Sequence, residues 1–311
     1  MAIRAVLSQT STDSDTTASR SGALALRLVR SSGMAAAGAV VVLVFSLMAA
    51  FPGLLARDNP GAEIYGRSLA PSLSHLLGTT AYGQDIWSQL VWGTRESLVI
   101  AVLVGLLTTV LSVLVGVSMA YFGGFTERSL SLVTDVLLVI PTLPLIIVIV
   151  AYVQSADFAV LVVVLTVTGW SWGARQLRPE ALSRKNREFL QAARVRGERS
   201  LYIVVVEILP TMTSLIMAIF LGSAAYAILA ASGLQFIGLG DPNDQSWGTM
   251  LYWATNNSAL ISGSPLWEVM PGICIALLGT AFSMLSYAFD EVTNPALRRV
   301  RRRPGAADAD S

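Results

Sequence analysis

Six apolar runs of membrane-crossing length alternate with polar connections along this chain. The first, Ser31 to Ala56, carries no charge and at about 1.5 Å per residue outreaches the ~30 Å of a bilayer's hydrocarbon. A second charge-free run spans Ser97 to Thr126; its helix is expected to end before Gly123-Gly124, because glycine tolerates helix-terminating conformations. The third, Leu130 to Val153, contains Asp135, Pro141 and Pro144, and its prolines predict a kinked helix. The fourth and shortest is Phe158 to Ala174, the fifth covers about Ile208 to Ser232, and the sixth takes Val269 to Phe289.

The connections differ in character. Met1 to about Ser21 is rich in Ser, Thr and Ala and reads as a disordered cytoplasmic tail. Arg57 to about Arg95 is a polar connection with Pro and Gly, in which Trp87 and Trp92 suit an interfacial position. After the fifth run, the glycines, Pro242 and Asn256-Asn257 argue against a continuous span and for short helices on or in the membrane surface. This divides the chain into an N-tail (1–26), a first transmembrane helix with its outer loop (27–95), a core with five helices (96–297) and a basic C-tail (298–311).

Composition places such a pattern in a lipid bilayer: 54% of residues are hydrophobic and 13% charged. A net charge of +1 gives no global field for nucleic acid. One histidine, His75, and one cysteine, Cys274, are too few for a multi-His or paired-Cys metal site, so no metal site is expected. Cys274 and His75 read as packing and turn residues. Charge also orients the chain. With both termini cytoplasmic, every one of the 21 basic residues except Arg57, Arg67 and Arg95 lies inside, as the positive-inside rule requires. The fold class is therefore an all-α integral membrane protein with six transmembrane helices and cytoplasmic N and C termini, a multi-pass protein of the cell membrane.

One charged interruption stands out, REFLQAARVRGERSLYIVVVEILP from Arg187 to Pro210, between the fourth and fifth helices. Glu188, Phe189, Ala192, Ala193 and Arg196 recur at spacings of three and four, which predicts a short helix with Phe189, Ala192 and Ala193 on one face and charge on the other. Gly197 suits the left-handed turn that ends it. An amphipathic helix lying in the headgroup layer is one reading. The small, alanine-rich face favours the other, close approach of a protein partner. Asp135 reads as an interfacial carboxylate, paired with Arg128 or an arginine of a neighbouring loop, in preference to a gate; Pro141 and Pro144 are hinge candidates.

Gln191-Ala192-Ala193, three residues, Gly197, nine residues and then Glu207-Ile208-Leu209-Pro210 resemble the EAA signature of binding-protein-dependent ABC importer permeases. His75 to Thr79, Tyr82 to Asp85, Gly93 to Leu98, Tyr121 to Gly124, Phe236 to Gly240, Ser246 to Leu251 and Pro271-Gly272 are similar, in order and spacing, to the dipeptide/oligopeptide/nickel class and its shorter C-type subunit. The likeness covers about Arg27 to Arg299. Three positions depart from it: Gln191 replaces the usual Glu, Thr80 the usual acidic residue, and Gln84 the common Arg.

The resemblance implies a permease subunit that forms half of a translocation pore, most often for di- or oligopeptides, with nickel chelates or other small solutes as the alternative. It implies an ATPase-coupling helix carried by Glu188, Gln191, Ala192, Ala193, Gly197, Leu209 and Pro210. Its expected partners are a second permease subunit, ATP-binding subunits and an extracytoplasmic solute-binding protein. The chain has no Gly-x4-Gly-Lys-Ser/Thr phosphate loop, and its single lysine, Lys185, lacks the glycine cradle. ATP and Mg are therefore expected on the ATPase subunits and no cofactor here. An ion-coupled secondary transporter would carry ionisable residues at mid-membrane, and apart from Asp135 the six runs hold essentially none. A membrane-embedded enzyme would need a nucleophile–base or metal cluster that this composition does not supply.

Overall fold

The computed structural model describes residues 33–153, 157–185 and 187–293, with the side chains of 188, 189, 192, 194 and 291–293 excepted. Both expected tails lie outside the described residues. The helices are α1 (Gly33–Ala50), α2 (Ile86–Phe122), α3 (Gly124–Val139), α4 (Thr142–Val153), α5 (Phe158–Lys185), α6 (Glu188–Val195), α7 (Ser200–Phe236), α8 (Trp247–Asn256) and α9 (Pro265–Thr293). A four-residue helical turn, Pro52–Leu55, follows α1.

Five of these, α1, α2, α5, α7 and α9, are long and apolar enough to cross a membrane. The count reaches six only if α3 and α4 make one span, and they meet at 90°. The expected single kinked helix from Leu130 to Val153 is thus corrected to two helices. The cause is local: proline disfavours the helical conformation in the residue before it, and Ile140, preceding Pro141, is extended with ψ 129°. Pro144 sits in the first turn of α4, where its missing N–H costs nothing.

Other boundaries move as well. α2 starts at Ile86, so the outer connection ends at Asp85 rather than near Arg95. Asp85 accepts hydrogen bonds from the Ser88 N–H and hydroxyl, both at 2.8 Å, and caps the helix. Its other oxygen lies 3.2 Å from His75 Nδ1, and both side chains are buried, so His75 is a structural partner within the outer connection. Asp85→Ala removes the cap and strands the imidazole; the expected loss is about 1–3 kcal/mol of stability, read as a lowered melting temperature of the purified protein. Asp85→Asn, which keeps an acceptor for Ser88, is expected to lose less than half as much.

The bundle is built on α2, which packs along α5 and α7, while α9 lies between α7 and α1. Small residues let these backbones touch, as expected where helices associate without a hydrophobic drive between them. A Cβ on Gly116 of α2 would come within 2.7 Å of the Ala174 carbonyl oxygen of α5. One on Gly173 of α5 would meet Ser112 Oγ at 2.6 Å. Between these two contacts, Ser112 donates across the interface to the Trp170 carbonyl at 2.8 Å. At the opposite end α8 is seated by Trp247, fully buried, whose ring meets Phe45 of α1 edge-on at 5.1 Å. The Trp247 indole N–H donates to the Leu90 carbonyl at 3.1 Å. The surface helices expected between the fifth and sixth spans are, among the described residues, this one helix.

Candidate functional site

The expected end of the fourth helix at Ala174 is also corrected: α5 continues to Lys185 and carries its charged last turns with it. Those turns fix the joint below. Lys185 Nζ donates to the Ala120 carbonyl at 3.1 Å, placing a cation on the C-terminal end of α2, where the helix dipole favours one. Arg178 pairs with Glu127 at the start of α3. Arg184 pairs with Glu180 on its own helix and donates to the Thr211 carbonyl of α7 at 2.6 Å. Four elements are thereby stapled where the polar segment begins. The spacing of Glu180 and Arg184, four apart on one helical face, is the sequence signal for this extension.

α6 is seated on that platform by Leu190 and Ala193, three residues apart and both fully buried. They join a cluster with Ile203, Ile208 and Met212 of α7, Leu177 and Ala181 of α5, and Val117 and Ala120 of α2. This corrects the expected partner-facing role of Ala193: its small side chain serves the packing of α6 onto its own bundle. The face that carries the burial is Leu190–Ala193, and sequence reasoning missed Leu190. The side chains of Glu188, Phe189 and Ala192 lie outside the described residues. Gln191, Val195, Arg196, Gly197 and Arg199 are exposed, with Val195 89% accessible.

Gly197 closes α6 with φ +80°. The Glu198 N–H donates back to the Ala193 carbonyl at 3.2 Å, the six-to-one bond of a Schellman cap. α7 then opens irregularly. Ile203–Ile208 is a π-helical segment and Leu209–Met212 a 3-10 turn before regular α-helix resumes at Thr213. Pro210 supplies the reason, since it has no N–H for the Val206 carbonyl and its ring would press on it, so the preceding turn widens. Leu209 is half-buried and Pro210 exposed. The seam leaves Leu201, Tyr202, Val205 and Val206 on the surface beside the exposed arginines.

Asp135 stands in the last turns of α3, and its partner is Arg175 of α5 at 2.6 Å, not Arg128. Both side chains are mostly exposed, a peripheral pair across the α3–α5 contact. Asp135→Arg sets two cations together, and adding Arg175→Asp restores attraction. The double variant is expected to melt within about 1 kcal/mol of the parent, with the single variant below both, by thermal unfolding in nanodiscs. Pro141 and Pro144 form the α3–α4 elbow described above. Among the described residues no group of three or more His, Cys, Asp or Glu is arranged to hold a metal.

Residues 112–299 match the family of binding-protein-dependent transport system inner membrane components. The chain belongs to this family. The match begins at Ser112 in α2 and includes the whole joint from α5 to α7. Among curated proteins it is 32% identical to the oligopeptide transport system permease protein OppC of Mycobacterium tuberculosis, over 92% of this chain and 98% of that one. It is 30% identical to the dipeptide transport system permease protein DppC of Bacillus subtilis, over 88% and 86% of the two chains. Among solved structures, a chain of the MetNI methionine ABC transporter in inward-facing conformations superposes with a TM-score of 0.50 at 18% identity. It covers 65% of this permease and 96% of that chain, a likeness of fold. The permease is thus a multi-pass inner-membrane component of an importer, which as a class works together with a further permease, an ATPase and a binding protein.

Proposed function

We propose that this permease forms half of the translocation pore of an ATP-driven, binding-protein-dependent importer of di- or oligopeptides. Its near end-to-end similarity to OppC, over 98% of that chain, carries the reading. The solute is bound first by a separate extracytoplasmic protein, and a second permease subunit completes the pore. ATP and Mg reside on separate ATP-binding subunits, leaving this chain without an ATPase site or cofactor of its own. Both termini are cytoplasmic, and α6 faces the ATPase through its exposed residues Gln191, Val195 and Arg196, with Glu188 and Ala192 on the same short helix.

The joint acts as a lever. Leu190 and Ala193 lock α6 to α7, so displacement of α6 by the ATPase is transmitted to a helix that runs the length of the bundle. Leu209 and Pro210 lie in the irregular turns that absorb the change of angle. The α3–α4 elbow at Pro141 and Pro144, with Asp135 beside it, is the second element able to bend.

The test is reconstitution of this chain with its second permease, ATPase and binding protein in vesicles, with uptake of a labelled tripeptide measured with and without ATP. ATP-dependent accumulation is expected. Uptake of a nickel chelate in place of the peptide would move the permease to the alternative solute class, and failure of any ATPase to co-purify would overturn the importer reading.

A further inference from the structure

At the end of the bundle opposite α6 the fold holds two apolar side chains out into their surroundings. Leu73 is 99% exposed and Ile261 90%. Each sits beside serine in a polar connection, and each is presented by a hydrogen-bonded turn.

At Leu73 the turn is closed in both directions: the Ser72 N–H donates to the His75 carbonyl at 2.8 Å, and the His75 N–H donates to the Ser72 carbonyl at 3.2 Å. His75 is tied to Asp85 at the start of α2, and Arg57 Nη1 donates to the Ser74 carbonyl at 2.7 Å. These bonds set the turn against the junction of α1 and α2. Ile261 tips a second turn, in which its own N–H and that of Ser262 both donate to the Ser258 carbonyl at 2.9 Å. Ala259 is fully buried beneath it. Ser264 Oγ donates to the Thr79 carbonyl at 2.9 Å, which joins this turn to the connection that carries the first. Apolar side chains framed in this way and left uncovered mark a contact surface.

The adjoining surface identifies what covers them. Val40, Leu43, Val44 and Leu47 form an exposed stripe at helical spacing along α1, a helix of membrane-crossing length. The stripe runs past the end of that helix. The Phe51 N–H donates to the Leu47 carbonyl and the Leu54 N–H to the Phe51 carbonyl, both at 3.1 Å, and Phe51 and Leu54 are exposed in their turn. Arg57, three residues further, holds the Leu73 turn. On α9, Val269, Ile273 and Leu277 make a second exposed stripe at spacings of four, and Ile261 precedes it in the same progression across exposed Pro265. Trp87 is half-buried at the level of the Leu73 turn, and its indole N–H donates to the Leu55 carbonyl at 2.9 Å. Such amphipathic rings belong at the membrane–water boundary. Exposed Arg57 beside it keeps further guanidinium N–H groups for lipid phosphate.

We propose that Leu73 and Ile261 insert into the boundary between headgroups and acyl chains of the adjacent leaflet, so that both connections lie on the bilayer and are anchored in it. The tips prolong the exposed flanks of α1 and α9, which lipid covers. A soluble partner docking on this end of the bundle would meet water-facing groups such as Glu63, whereas residues in line with the two stripes meet lipid. The two grips fix the height of this end of the bundle in the membrane.

The permease is assembled with its second permease and ATPase in nanodiscs of phosphatidylethanolamine and phosphatidylglycerol, with bimane attached at Leu73→Cys or Ile261→Cys. Both positions are surface tips, so cysteine removes no packing, and the complex with the parent chain, whose cysteine Cys274 is buried, is the blank. Glu63→Cys, an exposed polar position of the same connection as Leu73, is the reference. Lipids carrying a nitroxide high on the acyl chain are expected to quench both tip labels at least about twofold more than the reference, and aqueous iodide at least about twofold less. Iodide quenching of a tip label equal to that of the reference overturns the insertion of that tip. Quenching by neither agent also overturns it and assigns the tip to a protein contact, with the second permease if the isolated permease regains lipid quenching. Protection from iodide that appears only on adding the binding protein overturns it in favour of that protein.

Discussion

Gly197→Val is expected to lower ATP-driven uptake at least about tenfold while the protein still inserts and assembles. The glycine has φ +80°, and nothing lies within 4 Å of where a Cβ would project, so the substitution meets no clash. What it meets is backbone strain, about 1–2 kcal/mol for a residue forced into the left-handed region and more when it is β-branched. The chain relieves that strain by rotating the turn, which breaks the Glu198-to-Ala193 cap and re-aims α6 against α7. Because the Leu190 and Ala193 anchor stays intact, the damage falls on transmission more than on folding. Gly197→Asn, which tolerates the same conformation, is expected to keep most uptake. Full uptake by the valine variant in reconstituted vesicles would remove the joint from the mechanism.

Gly116→Leu is expected to have the largest effect on stability, lowering it by roughly 3 kcal/mol or more and depressing the yield of folded protein. Its Cβ would lie 2.7 Å from the Ala174 carbonyl oxygen and 3.0 Å from Leu177 Cβ, so backbone rather than a movable side-chain tip stands in the way. The α2–α5 contact must then open. With it go the Ser112-to-Trp170 hydrogen bond and the seat of Gly173 against Ser112. A melting temperature within a degree or two of the parent would mean that the two helices are not held by close backbone approach. Gly169→Leu, on α5 across the same α2–α5 contact, is the control, since a Cβ there has no heavy atom nearer than 3.5 Å, and it is expected to be milder.

Where the signal was a run of apolar residues, the sequence located the helices well. α1, α2, α5, α7 and α9 each fall on one of the stretches expected to span the membrane, although α1 stops at Ala50, short of the expected Ala56, because in hydrocarbon the backbone must satisfy itself within a helix and length alone is informative. Ends were less legible. Asp85 and Ser88 spell a helix start, but among Trp and Gly residues the cap reads as part of a loop. The charged turns of α5 read as a polar connection because their partners, the Ala120 and Thr211 carbonyls, are distant in sequence. The size of the Pro141 break was hidden for another reason: a proline announces an interruption, whereas the angle depends on what each half packs against.

The segment from α6 into α7 shows the same division. Gly197, Ala193 and Pro210 were all visible as a pattern, and the turn and the short helix follow from residue chemistry alone. The direction Ala193 faces does not. A small residue permits close approach by any surface, and only the fold shows that Leu190 and Ala193 are covered by Ile203, Ile208 and Leu177 of the same chain. The two apolar tips were illegible, since Leu73 and Ile261 stand in separate polar connections and only the fold sets them in line with the exposed stripes of α1 and α9.

By itself, then, the sequence determined the solvent of this protein, the rough position of its long apolar helices, and the polar joint among them. These follow from local rules: apolar length, charge placement and the conformational limits of glycine and proline. The tertiary structure alone decided which faces are covered, how far α3 and α4 bend apart, and which apolar side chains remain uncovered. Those depend on residues brought together across the chain, and no local rule reaches them.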